Sequence, residues 1–149
     1  MTRPIDLRPK EDAVLGTRFA DLEIGKKLNP IRFTLTRDFM KEYAAAVQAD
    51  PDGYDVDGRK AALPLTLAPY MAAVLTNTYR PQDGGIVTRQ KWSFHRPLWM
   101  DEDLDIVATG YLKDKYERRG RLVHVHAAEF RTVDGELIAS AERGCIWPE

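Results

Sequence analysis

The sequence predicts an α+β domain in which helices pack against a curved antiparallel sheet. Apolar residues recur at helical spacing only in the first half of the chain, over 39–48 and 63–78. From residue 86 onward the pattern switches to period two, in four runs separated by turn residues. The chain has 149 residues, 44% of them hydrophobic and 30% charged, which is enough for one domain with its own core.

Several function classes are disfavoured at once. The 22 Lys+Arg nearly balance 23 Asp+Glu, leaving a net charge of −1 and no general attraction to nucleic acid or anionic lipid. No apolar run approaches the roughly 20 residues of a membrane span. The first ten residues carry charges and prolines where a signal peptide needs an apolar stretch. The single cysteine, Cys145, excludes an internal disulfide framework and a multi-cysteine zinc site. The expectation is a soluble cytoplasmic protein with neither nucleic acid nor membrane as partner.

Residues 1–16 read as a polar, flexible arm and 17–149 as the folded domain. Over 27–36, Ile31, Phe33 and Leu35 alternate with Arg32, Thr34 and Thr36, the pattern of a half-buried strand. Thr36 or Asp38 can cap a helix over 39–48, in which Phe39, Tyr43 and Val47 share a face. Pro51, Gly53, Gly58 and four aspartates make the next stretch a loop. Residues 63–78 are apolar around most of the circumference and predict a long, largely buried helix, with Pro69 in its first turn. Strands follow over 86–94, 104–116, 122–132 and 136–147, read as a four-strand meander. Asp134-Gly135 signals the last tight turn.

The stretch between the first two of these strands reads Phe94-His-Arg-Pro-Leu-Trp-Met-Asp-Glu-Asp-Leu104. It resembles the MaoC-like hydratases and dehydratases. These carry an aromatic residue, Arg-Pro-Leu or Arg-Pro-Val, a Gly-Asp turn and an apolar strand. Phe94, Arg96-Pro97-Leu98 and Leu104 match, while Asp101-Glu102 replaces Gly-Asp. Pro64-Leu-Thr-Leu67 resembles the family's lead-in to its central helix, and the resemblance extends over about residues 17–147. It implies a single hotdog fold, a curved antiparallel sheet wrapped around a long central helix. It also implies (R)-specific enoyl-CoA hydratase or 3-hydroxyacyl dehydratase chemistry on acyl-CoA or acyl-carrier thioesters, with no further cofactor. In such enzymes an aspartate and a histidine share a water, and backbone N–H groups at the central helix stabilise the enolate-like oxygen. The site so implied contains Asp50, Tyr54 and Asp55 as catalytic candidates. Pro64, Thr66, Arg96, Arg118 and Arg119 are the substrate-binding candidates.

The dyad itself is missing. The family run is roughly Gly-Asp-X-Asn-Pro-X-His, and the matching stretch here is Gln48-Ala-Asp-Pro-Asp-Gly-Tyr54. One register sets Ala49 and Tyr54 at the two positions, and the neighbouring register sets Asp50 and Asp55 there. No histidine precedes His95. The resemblance therefore leaves open an active hydratase or a dyad-less partner of one. The alternatives are a hotdog thioesterase using Asp50 or Asp55 and a non-catalytic acyl-CoA-binding module. A single hotdog leaves an open sheet edge, which predicts a homodimer or a heteromer with another hotdog subunit.

Other chemistry-bearing residues have plainer readings beside the functional ones. The four aspartates of 50–57 are a solvated loop, a source of one catalytic carboxylate, or a fragment of a cation loop. His124 and His126 share one strand face, at metal-compatible spacing but with no third ligand evident, or are partly exposed at an interface. His95 belongs to its turn or to the active-site mouth. Lys113, Lys115, Arg118, Arg119 and Arg121 form a hairpin-tip cluster suited to a coenzyme A phosphate or to solvent. Trp92 and Phe94 are expected in the core, Trp147 at an edge or interface, and Cys145 as a buried structural thiol.

Overall fold

A computed structural model describes residues 16–81 and 83–148; apart from Gly16, the expected arm lies outside them. Strand β1 (Lys27–Leu35) leads into helix α1 (Arg37–Ala46). A short hairpin of β2 (Tyr54–Val56) and β3 (Arg59–Ala61) and helix α2 (Tyr70–Thr76) come next. Four long strands complete the chain: β4 (Ile86–Phe94), β5 (Leu104–Arg118), β6 (Arg121–Thr132) and β7 (Leu137–Ile146). The five long strands form one antiparallel sheet in the order β1-β5-β6-β7-β4.

That order corrects the expected four-strand meander. Only β5, β6 and β7 follow one another, whereas β4 pairs with β7 at the far edge, Phe94 opposite Ala139 and Trp92 opposite Ala141. Period-two patterning identifies a strand but not its neighbour. The turns themselves obey local chemistry. Arg118 and Arg121 pair across a two-residue turn in which Arg119 and Gly120 have φ of 53° and 70°. Two positive φ values match the right-handed twist of the flanking strands. The same device appears where a plain loop was expected. Asp57 (φ 51°) and Gly58 (φ 81°) turn β2 back onto β3.

The expected long central helix is also corrected. Residues Pro64–Leu67 form a single 3-10 turn, and α2 has only seven residues. The cause is Pro69, which has no N–H to donate to Leu65 and so interrupts an α-helical ladder. The chain crosses the proline on tighter bonds, Ala68 N to Leu65 O at 2.8 Å and Met71 N to Ala68 O at 3.2 Å. The burial expected for this segment does hold: Tyr70, Met71 and Val74 are fully enclosed.

Helix α1 starts on a cap, with Thr36 Oγ1 accepting from Phe39 N at 3.2 Å. It ends in a Schellman motif. Ala49 N donates to Ala44 O and Gln48 N to Ala45 O, with Gln48 at φ 59°.

The inner face of the sheet carries Phe33, Ile106, Leu112 and Phe130, and α2 packs against it over β1, β5 and β6. Tyr70 stacks flat on Phe33, ring centroids 3.7 Å apart. The close approach depends on Gly110. A Cβ there would stand 2.5 Å from Ala127 O and 2.8 Å from Val74 Cγ1. Backbone on one side and a buried helix on the other leave nothing to yield. Gly110→Ala is therefore expected to lower unfolding free energy by about 1–3 kcal/mol, read as a shifted midpoint in urea denaturation at unchanged slope.

Candidate functional site

The segment from Asp50 to Ala61 folds as one unit against the turn that follows β4. Ala61 pairs with Trp99, Ala62 N donates to Leu98 O at 2.7 Å, and Met100 N donates to Lys60 O at 2.9 Å. The structure thus draws Asp50, Tyr54, Asp55, Pro64, Thr66 and Arg96 toward one region of the fold. Their side chains are already committed in several cases. Asp50 Oδ1 accepts from Asp52 N at 2.9 Å, and Asp55 Oδ1 accepts from Gly58 N at 3.0 Å. Both carboxylates stabilise turns, as aspartate commonly does. Thr66 is fully buried and its hydroxyl donates to Leu63 O at 2.6 Å. Tyr54 is about half exposed and Pro64 is exposed.

Arg96 is a tie. Its Nη1 donates to Glu136 at 2.9 Å, its Nη2 to Glu102, and its Nε to Pro97 O at 3.2 Å, while its side chain is only 17% exposed. Arg59 extends the network. It forks onto Asp101 at 2.6–3.1 Å, and its guanidinium lies 4.4 Å from the centre of the Trp99 ring. The Asp101-Glu102 pair, which departs from the family's Gly-Asp, thereby receives two arginines. Nothing in the linear pattern marked Arg59 as the partner of Asp101, because they are 42 residues apart.

Arg118 and Arg119 lie elsewhere. β5 runs 15 residues from Leu104, beside the Arg96 turn, to Arg118 at the opposite tip. At about 3.3 Å per residue that is on the order of 45 Å along the strand. One chain therefore does not bring the arginine tip and the Asp50–Tyr54 loop together. Of the tip cluster, Lys113 is paired with Glu142, and Lys115 donates to the carbonyls of Phe19 and Ala20 at 3.3 and 3.1 Å. Arg118, Arg119 and Arg121 are exposed. A groove of about 910 Å³ crosses the outer face of the sheet, walled in part by Lys27, Lys91, Tyr111, Glu129 and Glu142. None of the sequence-predicted site residues lines it.

The two strand histidines differ from expectation. His124 and His126 are 2% and 1% exposed, not at the surface. Their face turns inward under α2, and His126 Nε2 lies 2.9 Å from Met71 O. A carbonyl only accepts, so Nε2 carries the hydrogen and Nδ1 presents a lone pair. That lone pair lies 3.3 Å from His124 Nε2, which must then donate. His124 Nδ1 is left without a partner, as is Arg143 Nε. Burial first, then the Arg143 charge, lowers His124 to about 4; burial and the neighbouring imidazole lower His126 to about 3. Both nitrogens of His126 are engaged, which leaves it no lone pair for a metal. Among the described residues no group of three or more His, Cys, Asp or Glu is arranged to hold one.

Three smaller corrections concern packing. Trp147 is an interior residue, 3% exposed, with Nε1 donating to Thr17 O at 3.0 Å and its ring edge-on to His124. Phe94 is 40% exposed rather than part of the core, stacked on a half-buried Trp92 that in turn lies on Phe130. Cys145 is only partly buried, and burial pushes its thiol up. His95 is exposed and holds its turn through N to Ile138 O at 2.8 Å.

No protein-family sequence profile and no curated protein sequence matches the chain. Solved structures do. The (R)-hydratase PhaJ1 from Pseudomonas aeruginosa is 19% identical over 88% of this chain and 85% of its own, with a TM-score of 0.65. The HadBC 3R-hydroxyacyl-ACP dehydratase complex from Mycobacterium tuberculosis is 23% identical, covering 89% and 99%, at 0.68. A MaoC-like dehydratase from Rhodospirillum rubrum is 14% identical, covering 90% and 99%, at 0.67. The chain has the MaoC-like hotdog fold. Within that MaoC-like frame, the Arg96-Pro97-Leu98 turn joins β4 to β5, and the Asp50–Tyr54 loop follows α1.

Two outcomes follow from the buried groups. The histidines are neutral when folded, so the unfolded chain binds more protons below its ordinary imidazole value of 6.5. Stability is then full above pH 6.5 and falls as pH drops toward 4, by about 3 kcal/mol from His124 alone. Urea midpoints at pH 7, 6 and 5 measure this, and a midpoint unchanged over that window contradicts it. Arg96→Ala leaves Glu136 without this cation and Glu102 with only the more distant Arg59, 3.8 Å away, and is expected to cost about 1–3 kcal/mol, again read from the denaturation midpoint.

Proposed function

We propose that this chain is an acyl-thioester-binding subunit of (R)-hydratase or 3-hydroxyacyl dehydratase type that has lost its own proton-transfer dyad and works with a second hotdog chain. The observation behind it is the conformation at Gln48. Its φ of 59° is one that glycine adopts most readily. Aligning Gln48 with the glycine of the family run puts Ala49 at the aspartate and Tyr54 at the histidine. An alanine has no proton to exchange, and a tyrosine lacks the imidazole with which a histidine takes up and releases a proton near neutral pH. The two carboxylates of the other register, Asp50 and Asp55, already accept backbone N–H groups within their own turns. The similarity to HadBC, which is a complex, is consistent with an assembly of unlike subunits.

The thioester oxygen would approach the turn at Pro64–Leu67 that precedes α2. The chain would then supply one wall of the acyl site while the partner supplies the acid and base. The test is incubation of the purified chain with enoyl-CoA, 3-hydroxyacyl-CoA and saturated acyl-CoA thioesters, followed by mass spectrometry and calorimetry. Binding with little or no hydration, dehydration or hydrolysis is expected. Full hydration by the chain alone, surviving Asp50→Asn and Tyr54→Phe, would contradict the reading. Thiol release lost on Asp50→Asn or Asp55→Asn would point to a thioesterase instead.

A further inference from the structure

The inner face of the sheet continues past the cover of α2 onto β7 and β4, where three cross-strand pairs line it. Phe94 faces Ala139, Trp92 faces Ala141 and Gln90 faces Arg143. The first two pairs set aromatic rings beside small side chains and make an apolar track. The track starts at the Arg96 turn, against which the Asp50–Ala61 segment folds, and runs about 13 Å along β7 from position 139 to position 143. It ends on a cation. His126 is the β6 partner of Arg143 and faces inward under α2, which places Arg143 on that same face. Arg143 is half-buried, and its Nε is enclosed with no hydrogen-bond partner. Among the described residues no carboxylate forms an ion pair with it.

The surroundings of Arg143 suit an anion. The adjacent carboxylate, Glu142, lies on the opposite face of the sheet, where Lys113 holds it. The titratable groups beside Arg143 on the inner face are His124, His126 and Cys145. Burial keeps all three uncharged, so none of them answers the guanidinium. Gln90 Oε1 accepts from Trp92 Nε1 at 3.0 Å, which leaves the Gln90 amide NH2 as a second donor at the same place. A half-buried charge without a counter-charge is costly, and a planar carboxylate fits the arginine fork. A phosphate dianion would have to shed more hydration beside Trp92 and the two alanines. We propose that Arg143 and Gln90 form a carboxylate subsite on the inner face of the sheet, and that the ligand is an acyl thioester whose far end is a carboxylate. The acyl chain lies along the Phe94 and Trp92 track, and its terminal carboxylate meets Arg143. This rests on the acyl-thioester reading and specifies its substrate class.

Cys145 is the single cysteine and lies two positions beyond Arg143 on the same face, so its alkylation reports on the subsite. Iodoacetate carries a carboxylate and iodoacetamide does not; with either, the thiolate sulfur bonds to the methylene carbon and iodide leaves. The rate of iodoacetate relative to iodoacetamide at Cys145 is compared with the same ratio for N-acetylcysteinamide. It is expected to be at least about ten-fold higher in the protein, a gap of about 1.4 kcal/mol, and to lose that excess in Arg143→Gln. Calorimetry with sebacoyl-CoA and decanoyl-CoA, equal in carbon number, tests the ligand itself. The carboxylate-ended thioester is expected to bind at least about ten-fold more tightly, again only with Arg143 present. Circular dichroism checks the variant's fold. If Arg143→Gln does not fold, excess free sebacate replaces it and must remove the iodoacetate preference of the unaltered chain. A thiol with no such preference, or decanoyl-CoA bound as tightly as sebacoyl-CoA, overturns the subsite and leaves acyl binding intact. Binding of neither thioester contradicts the acyl reading and with it this ligand, while the alkylation ratio, which needs no thioester, still decides whether Arg143 receives a carboxylate.

Discussion

Tyr70 lies flat on Phe33 at 3.7 Å, and the position of every other functional segment depends on that contact. Aromatic rings can approach so closely only if the helix carrying one of them sits low on the sheet. Gly110 permits this, because at that position β5 presents backbone without a side chain to Val74. Phe39 closes the other side, edge-on to Tyr70 at 5.7 Å, and so ties α1 to the same ring. With both helices fixed to one tyrosine, the chain between them has little freedom. The 50–61 hairpin and the Pro64–Leu67 turn lie within this span, so the loop that would carry a dyad is positioned by the core.

The histidine pair belongs to the same seating. Met71 is in the first turn of α2, where its carbonyl would ordinarily accept from Leu75 alone; His126 adds a second donor from the sheet. A carbonyl has two lone pairs, so the second bond costs the helix nothing. The cost falls on the imidazoles, which must remain neutral in a buried place and are held far below their ordinary value. His124 Nδ1 and Arg143 Nε remain unpartnered on adjacent strands, an acceptor and a donor in one buried polar patch. Such a patch trades stability for orientation. It fixes how α2 docks on β6, which apolar packing alone would allow to slide.

Strand identity was legible because alternation is local. The bounds of β4 and the starts of β1 and β5 follow from the sequence pattern directly. Sheet order was not legible, since Trp92 and Phe94 alternate in the same way beside β5 or beside β7. The Asp57-Gly58 turn was legible in principle, as an Asp-Gly pair between Tyr54-Asp-Val56 and Arg59-Lys-Ala61. The four aspartates masked it by their composition. The depth of His124 and His126 was not legible at all. Two polar residues on an otherwise apolar face suit an exposed interface as well as a buried bond to a helix carbonyl. That no histidine precedes His95, by contrast, is a matter of residue identity, and the structure adds only the glycine-like conformation of Gln48.

The exposed aromatics on β4 have a physical meaning beyond their number. α2 covers the inner face of β1, β5 and β6 and stops there. Beyond it the sheet continues, and Phe94, Trp92 and Phe130 form a stacked row running from solvent into the core. Phe94, 40% exposed, keeps apolar ring area in water that Phe130 at the other end does not. Phe130 anchors the inner end of the row in the core, while Phe94 leaves its outer end in water at the edge of the sheet.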